Sequence, residues 1–132
     1  MPQHEIRNRL RRLFTEKVGV FRSRGQLQEA LDELIELRAM YERVGCRSDA
    51  GPFQSEVVHV LELEGILRLG EICIRGALAR EESRGSHYRT DFPKRDDDGW
   101  LKHTVAELDG DDVALTYTDV DLSHHEPRER TY

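Results

Sequence analysis

The sequence predicts a mainly α fold: an antiparallel three-helix bundle followed by an irregular segment, a short β-hairpin and a C-terminal tail. Before residue 82, apolar residues recur every three or four positions, which is the spacing of helices that share a core. After residue 100, apolar and polar side chains alternate, as they do in half-buried strands. We therefore predict a bundle over residues 1–82. Residues 83–132 are predicted to pack on the bundle or on a domain outside this chain.

The first helix is predicted from His4 to Lys17. One side of it is apolar, and the other side is rich in arginine. A basic amphipathic helix can bind nucleic acid or an anionic membrane surface, or it can pair its arginines with acidic neighbours. The formal net charge of −6 favours such pairing and argues against nucleic acid as a partner.

The second helix is predicted to begin after Ser23, because Ser23 and Gln26 have the spacing of a capping box. Its apolar face continues to Val44, and Gly45 is predicted to end it. Residues 18–21 are interpreted as a short apolar linker between the first two helices.

A third helix is predicted from about Phe53 to about Glu82, with Pro52 in its first turn. Apolar residues lie on more than one of its sides, so it is predicted to be central or to dock on something outside this chain. His59 is interpreted as a hydrogen-bonded core histidine. Glycines inside the helix indicate close backbone contact or a kink, and they are Gly65, Gly70 and Gly76.

The chain after the third helix is predicted to be irregular to about Gly99. Trp100 to Leu108 is predicted as a strand, and Val113 to Val120 as the returning strand. The sequence Asp-Gly-Asp-Asp at 109–112 is a hairpin turn signal. The tail, residues 121–132, is polar.

Motifs for independent chemistry were not found. There is no phosphate-binding glycine motif, zinc-protease motif or nucleophile elbow, and His124-His125 lacks further metal ligands. Cys46 and Cys73 are predicted to be reduced, buried or half-buried thiols rather than a disulfide. No apolar run approaches the roughly 20 residues of a membrane span, and the N-terminus resembles no signal peptide. Composition and spacing alone therefore predict a cytosolic helical binding or docking domain.

The segment from Gly76 to Thr104 is dense in arginines, carboxylates and aromatic residues, which predicts a surface that makes contacts. Its run from Ala79 to Pro93 resembles the AR-ESRGAH-R-DYP segment of succinate dehydrogenase and fumarate reductase flavoprotein subunits. The RDD residues at 95–97 and the WLKHT residues at 100–104 continue the resemblance. The second strand and the ending PRERTY at 127–132 are also similar to that family.

The resemblance implies that this chain is the C-terminal helical domain of such a subunit. The whole subunit would interconvert succinate and fumarate with FAD. We expect the chain alone to bind no cofactor or metal and to have no activity. The implied partners are the flavin domain of the same polypeptide and an iron–sulfur subunit, without nucleic acid; self-association of the isolated domain is left open. The resemblance also implies a cytoplasmic protein whose complex is peripheral on the inner face of the cytoplasmic membrane.

No residue is predicted to be catalytic. The segment is predicted to dock the bundle on the flavin domain. It is also predicted to hold in place residues of the active site without contacting the substrate itself. Its arginines can form bidentate bonds to carboxylates or carbonyls of that domain, and Gly85 allows close backbone approach. The alternative is that Arg80, Glu81, Arg95 and Asp96 to Asp98 are ordinary solvated charges, and for Asp97 and Asp98 this alternative is favoured. The predicted docking residues are Ser83, Arg84, Gly85, His87, Arg89, Asp91, Arg95, Trp100, Lys102 and His103.

Two other functions stay open at this point. Related flavoproteins, including L-aspartate oxidase, share a helical C-terminal domain and an ESRG-like segment. The WLKHT residues and the second strand favour the succinate and fumarate branch. A stand-alone protein-interaction module is the other alternative, and binding of nucleic acid or an anionic surface through the first helix is a weaker one.

Overall fold

The computed structural model of the protein describes residues 2–46 and 55–128. Three helices form the bundle: α1 (Gln3–Lys17), α2 (Arg24–Tyr41) and α3 (Ser55–Ala79). The predicted mainly α fold is confirmed. The core is made of aliphatic side chains from all three helices, with Val18 after α1, and its members are Ile6, Leu10, Leu13, Val18, Leu27, Ala30, Leu31, Leu34, Leu37, Leu63, Leu67, Ile74 and Ala77.

The helix ends follow from capping. Ser23 caps α2 as predicted, because its hydroxyl accepts a hydrogen bond from the Gln26 amide at 3.3 Å. The second helix ends at Tyr41, before the predicted Val44. The third ends at Ala79, and its prediction to Glu82 is wrong because an arginine binds the last carbonyls of α3. The predicted N-terminus of the third helix, with Pro52 and Phe53, lies outside the described residues.

Two small sheets complete the fold. Strand β3 (Lys102–Asp109) pairs antiparallel with β4 (Asp112–Asp119), and Gly110 in the turn has φ +63°, which confirms the predicted hairpin. Trp100 does not begin β3 as predicted, because it ends a short helix, α4 (Asp97–Trp100). Strand β1 (Phe21–Arg22) lies in the predicted linker and pairs parallel with β2 (Tyr88–Arg89). The division of the chain between residues 82 and 83 stays a prediction.

Within residues 2–46 and 55–128, helix α3 is buried on one side only. Its core positions begin at Leu63, so His59, one turn earlier, is exposed and its interpretation as a core residue is wrong. Cys46 and Cys73 are free thiols, but both are exposed rather than buried or half-buried as predicted. Among the described residues, no helix combines the length and the apolar character needed to cross a bilayer.

The glycines of α3 are not equivalent. A Cβ atom at Gly70 would lie 3.0 Å from Leu34 Cδ1 and 3.1 Å from Phe14 Cζ, whereas one at Gly65 would meet no atom within 4 Å. The predicted close contact is therefore present at Gly70. At Gly65 the backbone is simply uncovered.

Alanine substitutions at these two glycines should have opposite effects. Gly70→Ala is expected to lower the free energy of unfolding by about 1–3 kcal/mol, because the added methyl group overpacks the core. Gly65→Ala is the matched control and should raise it by about 0.5–1 kcal/mol through helix propensity. Urea denaturation measures both. Equal changes at the two positions would contradict the close contact at Gly70.

Candidate docking site

The arginine segment, Arg80–Trp100, is ordered by its own hydrogen bonds although little of it is regular secondary structure. Arg84 and His87 exchange two backbone bonds, of 2.8 and 3.1 Å, around a tight turn. Gly85 in that turn has φ +59°, a conformation that favours glycine. The Ser83 amide donates to the Lys94 carbonyl at 3.1 Å, which closes residues 83–94 into a loop.

The Glu82 carboxylate lies at the centre of the segment and is fully buried. It accepts hydrogen bonds from Arg80 at 2.7 Å, from Arg84 at 2.9 and 3.1 Å, and from the Asp96 amide at 2.9 Å. Burial alone would raise the pKa of Glu82, but these donors hold that pKa below its ordinary value. Glu82 was absent from the predicted docking residues, although it stands directly before Ser83 in the motif.

Arg89 is the second buried charge, with no exposed side-chain surface. Its Nη1 lies 2.8, 3.1 and 3.3 Å from the carbonyl oxygens of Ala77, Leu78 and Arg80, so it caps the C-terminus of α3. Its Nε and Nη2 donate to both oxygens of Asp91, at 2.8 and 2.7 Å. These bonds lower the pKa of Asp91 to about 2. The guanidinium group is therefore occupied within the chain.

The Ser83 side chain connects two backbone groups of the segment. Its buried hydroxyl accepts from the Arg89 amide at 2.9 Å and donates to the Phe92 carbonyl at 2.8 Å. A serine hydroxyl can donate and accept at once, which suits this position between two backbone groups.

His87 connects the segment to the chain before α2. Its Nδ1 lies 2.9 Å from Nη1 of Arg22, and its Nε2 lies 3.1 Å from the Arg80 carbonyl. Because Arg22 can only donate, Nδ1 must accept and the proton must be on Nε2. Burial lowers the pKa of His87; the Arg80 carbonyl opposes this, and the nearby charges of Arg22, Arg89 and Arg80 reinforce it.

The lowered pKa of His87 makes stability depend on pH. The folded protein keeps His87 neutral below the ordinary pKa of 6.5, whereas the unfolded chain binds the proton there. The free energy of unfolding should therefore fall as the pH drops from 6.5 towards the lowered pKa, and stay unchanged by this group above 6.5. Urea denaturation of the protein and of His87→Gln across pH 5–8 measures it. Identical slopes in the two proteins would contradict the assignment.

Arg84 and Arg95 share one carboxylate. Arg84 Nη2 lies 2.6 Å from Asp97, and Arg95 Nε lies 2.7 Å from the same residue. The bonds from Arg95 and then Arg84 lower the pKa of Asp97. The favoured interpretation of Asp97 as an ordinary solvated charge is therefore wrong. The same alternative is wrong for Arg95, whose side chain is partly buried in these bonds.

Arg80 attaches the hairpin to the end of α3. It donates to the carbonyls of Trp100 at 2.8 Å and Lys102 at 2.7 Å, and to the Thr104 hydroxyl at 3.1 Å. Its guanidinium carbon also lies 5.1 Å from the centre of the Trp100 ring. The alternative that Arg80 is an ordinary solvated charge is therefore wrong. Lys102 enters the network through its carbonyl, while the side chains of Lys102 and His103 are exposed.

The arrangement is suited to holding backbone in place rather than to chemistry. Within residues 2–46 and 55–128, no group of three or more His, Cys, Asp or Glu side chains could hold a metal ion. The buried charges are bonded to one another or to backbone, so they present no open polar site. Several large apolar side chains are exposed instead. They include Phe21, Leu61 and Leu69, which are exposed by 70%, 65% and 62%.

Comparison with known proteins agrees with these features. The family model described as fumarate reductase flavoprotein C-term matches residues 7–132. The chain is 32% identical over 129 residues to a fumarate reductase flavoprotein subunit of Haemophilus influenzae, covering 97% of this chain and 22% of that protein. It is 33% identical over 120 residues to a succinate dehydrogenase flavoprotein subunit of Rickettsia conorii, covering 90% of this chain and 20% of that protein.

A solved chain of Escherichia coli quinol fumarate reductase has the same fold, with a TM-score of 0.94 and 32% identity. The similarity covers 100% of this chain and 23% of that chain. Fold and sequence thus place the chain among the helical C-terminal domains of flavoprotein subunits. The chain belongs to the family of fumarate reductase flavoprotein C-terminal domains.

Proposed function

We propose that this chain acts as the C-terminal domain of a flavoprotein subunit that interconverts succinate and fumarate. In this role it docks on the flavin domain of the same polypeptide and is not catalytic alone. The match of the family model to residues 7–132 carries the proposal. The chain spans 22% of the length of the Haemophilus influenzae relative, so the reaction itself is assigned to the whole protein.

FAD does not fit the residues of this chain by themselves. The sequence has no glycine-rich turn between a strand and a helix, which is the usual cradle of a dinucleotide pyrophosphate. Helix α2 follows strand β1. At its start, the backbone amide of Gln26 already donates to the Ser23 hydroxyl. FAD is therefore proposed to be held by the flavin domain, and this chain to stabilise that domain from outside.

The arginine segment is proposed to form part of the interface between this chain and the flavin domain. Its internal bonds fix the backbone of Ser83, His87 and Arg89 and the side chain of Asp91, so the segment can present a rigid surface without losing conformational entropy on docking. Gly85 of the segment is exposed, and so are the side chains of Lys102 and His103, which follow the segment in β3. The iron–sulfur subunit is the proposed partner of the whole protein, on the inner face of the cytoplasmic membrane.

A chimera tests the proposal. The region of the Escherichia coli fumarate reductase flavoprotein that is similar to this chain is replaced by this chain, and fumarate reduction and flavin content are measured. We expect the chimera to retain flavin and activity, and the same subunit without its C-terminal region to lose both. A folded chimera that lost its flavin would contradict docking, and fumarate reduction by this chain with FAD would contradict a non-catalytic role.

The alternatives predict other results. If the whole natural protein oxidised L-aspartate but neither oxidised succinate nor reduced fumarate, it would be an L-aspartate oxidase rather than a member of the succinate and fumarate branch. If the gene contained no flavin-binding region in frame with this chain, a stand-alone interaction module would replace the proposal.

A further inference from the structure

Helix α3 has an uncovered apolar face opposite its core side. The residues of this α3 outer face follow one another at helical spacing, and they are Val58, Leu61, Gly65, Ile66, Leu69 and Cys73. Leu61 and Leu69 are exposed by 65% and 62%, although leucine side chains in a helix of a monomeric domain are normally turned inward. The face is therefore mainly apolar, and it is interrupted by Glu62, whose side chain is 55% exposed and lies 3.7 Å from Arg7.

The α3 outer face continues into a groove against α1. Leu10 and Phe14 of α1 line it together with Ile66, Leu69 and Gly70, around a cavity of about 320 Å³. From Gly65 to Gly76 the face carries no charged side chain. A Cβ atom at Gly65 or Gly76 would meet nothing within 4 Å, so a partner can approach the bare backbone there.

The charged groups near this groove also indicate the kind of partner. Arg11 lines the groove and is exposed. By contrast, the guanidinium groups of Arg84 and Arg89 are already bonded to carboxylates and carbonyls of this chain. Docking through these guanidinium groups would have to exchange those bonds, whereas docking on the α3 outer face removes apolar surface from water without such a loss.

We propose that the α3 outer face is the main contact surface of this chain for the flavin domain of the same polypeptide. The contact patch of that domain is apolar, with a carboxylate facing Arg11. The inference rests on the proposed function. This chain covers only 23% of the Escherichia coli chain on which it superposes with a TM-score of 0.94, so most of that polypeptide is available to cover the face.

The two cysteines provide an internal test. Cys73 lies on the α3 outer face and Cys46 follows α2, and both thiols are exposed. In the isolated chain, N-ethylmaleimide should modify both. In the active chimera, modification of Cys73 is expected to slow by at least about tenfold while Cys46 changes less, as measured by peptide mass spectrometry. An active chimera in which Cys73 reacts as fast as in the isolated chain would overturn the inference and leave the proposed function intact.

A pair of substitutions provides an independent test. Leu69→Lys in the chimera is expected to reduce flavin retention about tenfold, because it places a charge in the contact. Ile35→Lys, on α2 and 47% exposed, is the control and should have no effect. Both variants of the isolated chain should stay folded, as shown by circular dichroism. Equal retention by the two chimeras would overturn the inference.

Other occupants of the face give different results. If Cys73 of the isolated chain became protected with increasing protein concentration, a second copy would cover the face. If vesicles of phosphatidylglycerol protected Cys73 and the active chimera did not, the face would bind a membrane surface. Either result would overturn the assignment to the flavin domain. An inactive chimera without flavin would instead refute the proposed function on which the inference rests.

Discussion

Replacing Arg89 by methionine is expected to lower the free energy of unfolding by about 3–5 kcal/mol, as measured by urea denaturation. Methionine fills a similar volume but donates no hydrogen bond. The carbonyl oxygens that cap the end of α3 would lose their charged donor, and Asp91 would lose the partner that it binds at 2.7 and 2.8 Å. The buried carbonyl of Ala77 and the part-buried carbonyls of Leu78 and Arg80 would then lose a donor in one place.

The effect should be specific to the buried guanidinium group. Arg24→Met is the matched control, because the Arg24 side chain is 75% exposed and its only ion pair in the described structure spans 3.8 Å. It should change the free energy of unfolding by less than about 0.5 kcal/mol. Arg89→Lys is expected to fall between the two, since an ammonium group cannot make the bidentate pair. Similar losses for Arg89→Met and Arg24→Met would contradict the role assigned to Arg89.

The helices and the hairpin could be predicted because their signals are local. A stripe of apolar residues needs only the helical period to be recognised, and the Ser23 cap and the turn at Gly110 lie within a few residues of the elements that they control. The parallel pair of β1 and β2 had no such signal. Each strand has two residues, too few to show an alternating pattern, and the pair depends on the long connection through α2 and α3 that lies between them.

The residues of the arginine segment could be located from sequence, but their partners could not. A guanidinium group can bind any carboxylate or carbonyl that the fold brings near, so the sequence left open whether Arg84 and Arg89 bind inside or outside the chain. The structure pairs Arg84 with Glu82 and Asp97, and Arg89 with Asp91 and the end of α3. Their docking role stays a prediction, and the apolar α3 outer face is the stronger candidate.

The errors on α3 have one physical origin. Its apolar residues predicted contacts on more than one side, but the bundle covers only the side that contains Leu63 and Leu67. Cys73 is on the other side, and His59 precedes the covered part of the helix, so both are exposed. A sequence shows that a surface is apolar, but it does not show whether the neighbour that covers it belongs to the same domain.

Replacing Glu82 by glutamine is expected to lower the free energy of unfolding by about 3 kcal/mol. The carboxylate is fully buried and accepts from two arginines and a backbone amide. A neutral amide of the same shape offers one acceptor oxygen, and its NH₂ group would face donors that need an acceptor. Arg80 would then be a half-buried cation beside the hairpin carbonyls without its counter-charge.

The neighbouring residue supplies the control for Glu82. Glu81 is 46% exposed at its side chain and pairs with Arg24 at 3.8 Å, so Glu81→Gln should cost less than about 0.5 kcal/mol. The loss at Glu82→Gln should also shrink at acid pH, because the lowered pKa of Glu82 means that its ionised form contributes stability above the unfolded pKa of about 4.3 and loses it as the pH falls through the folded pKa. A deficit in Glu82→Gln that stayed constant down to pH 2 would show that packing, not charge, holds the arginine segment together.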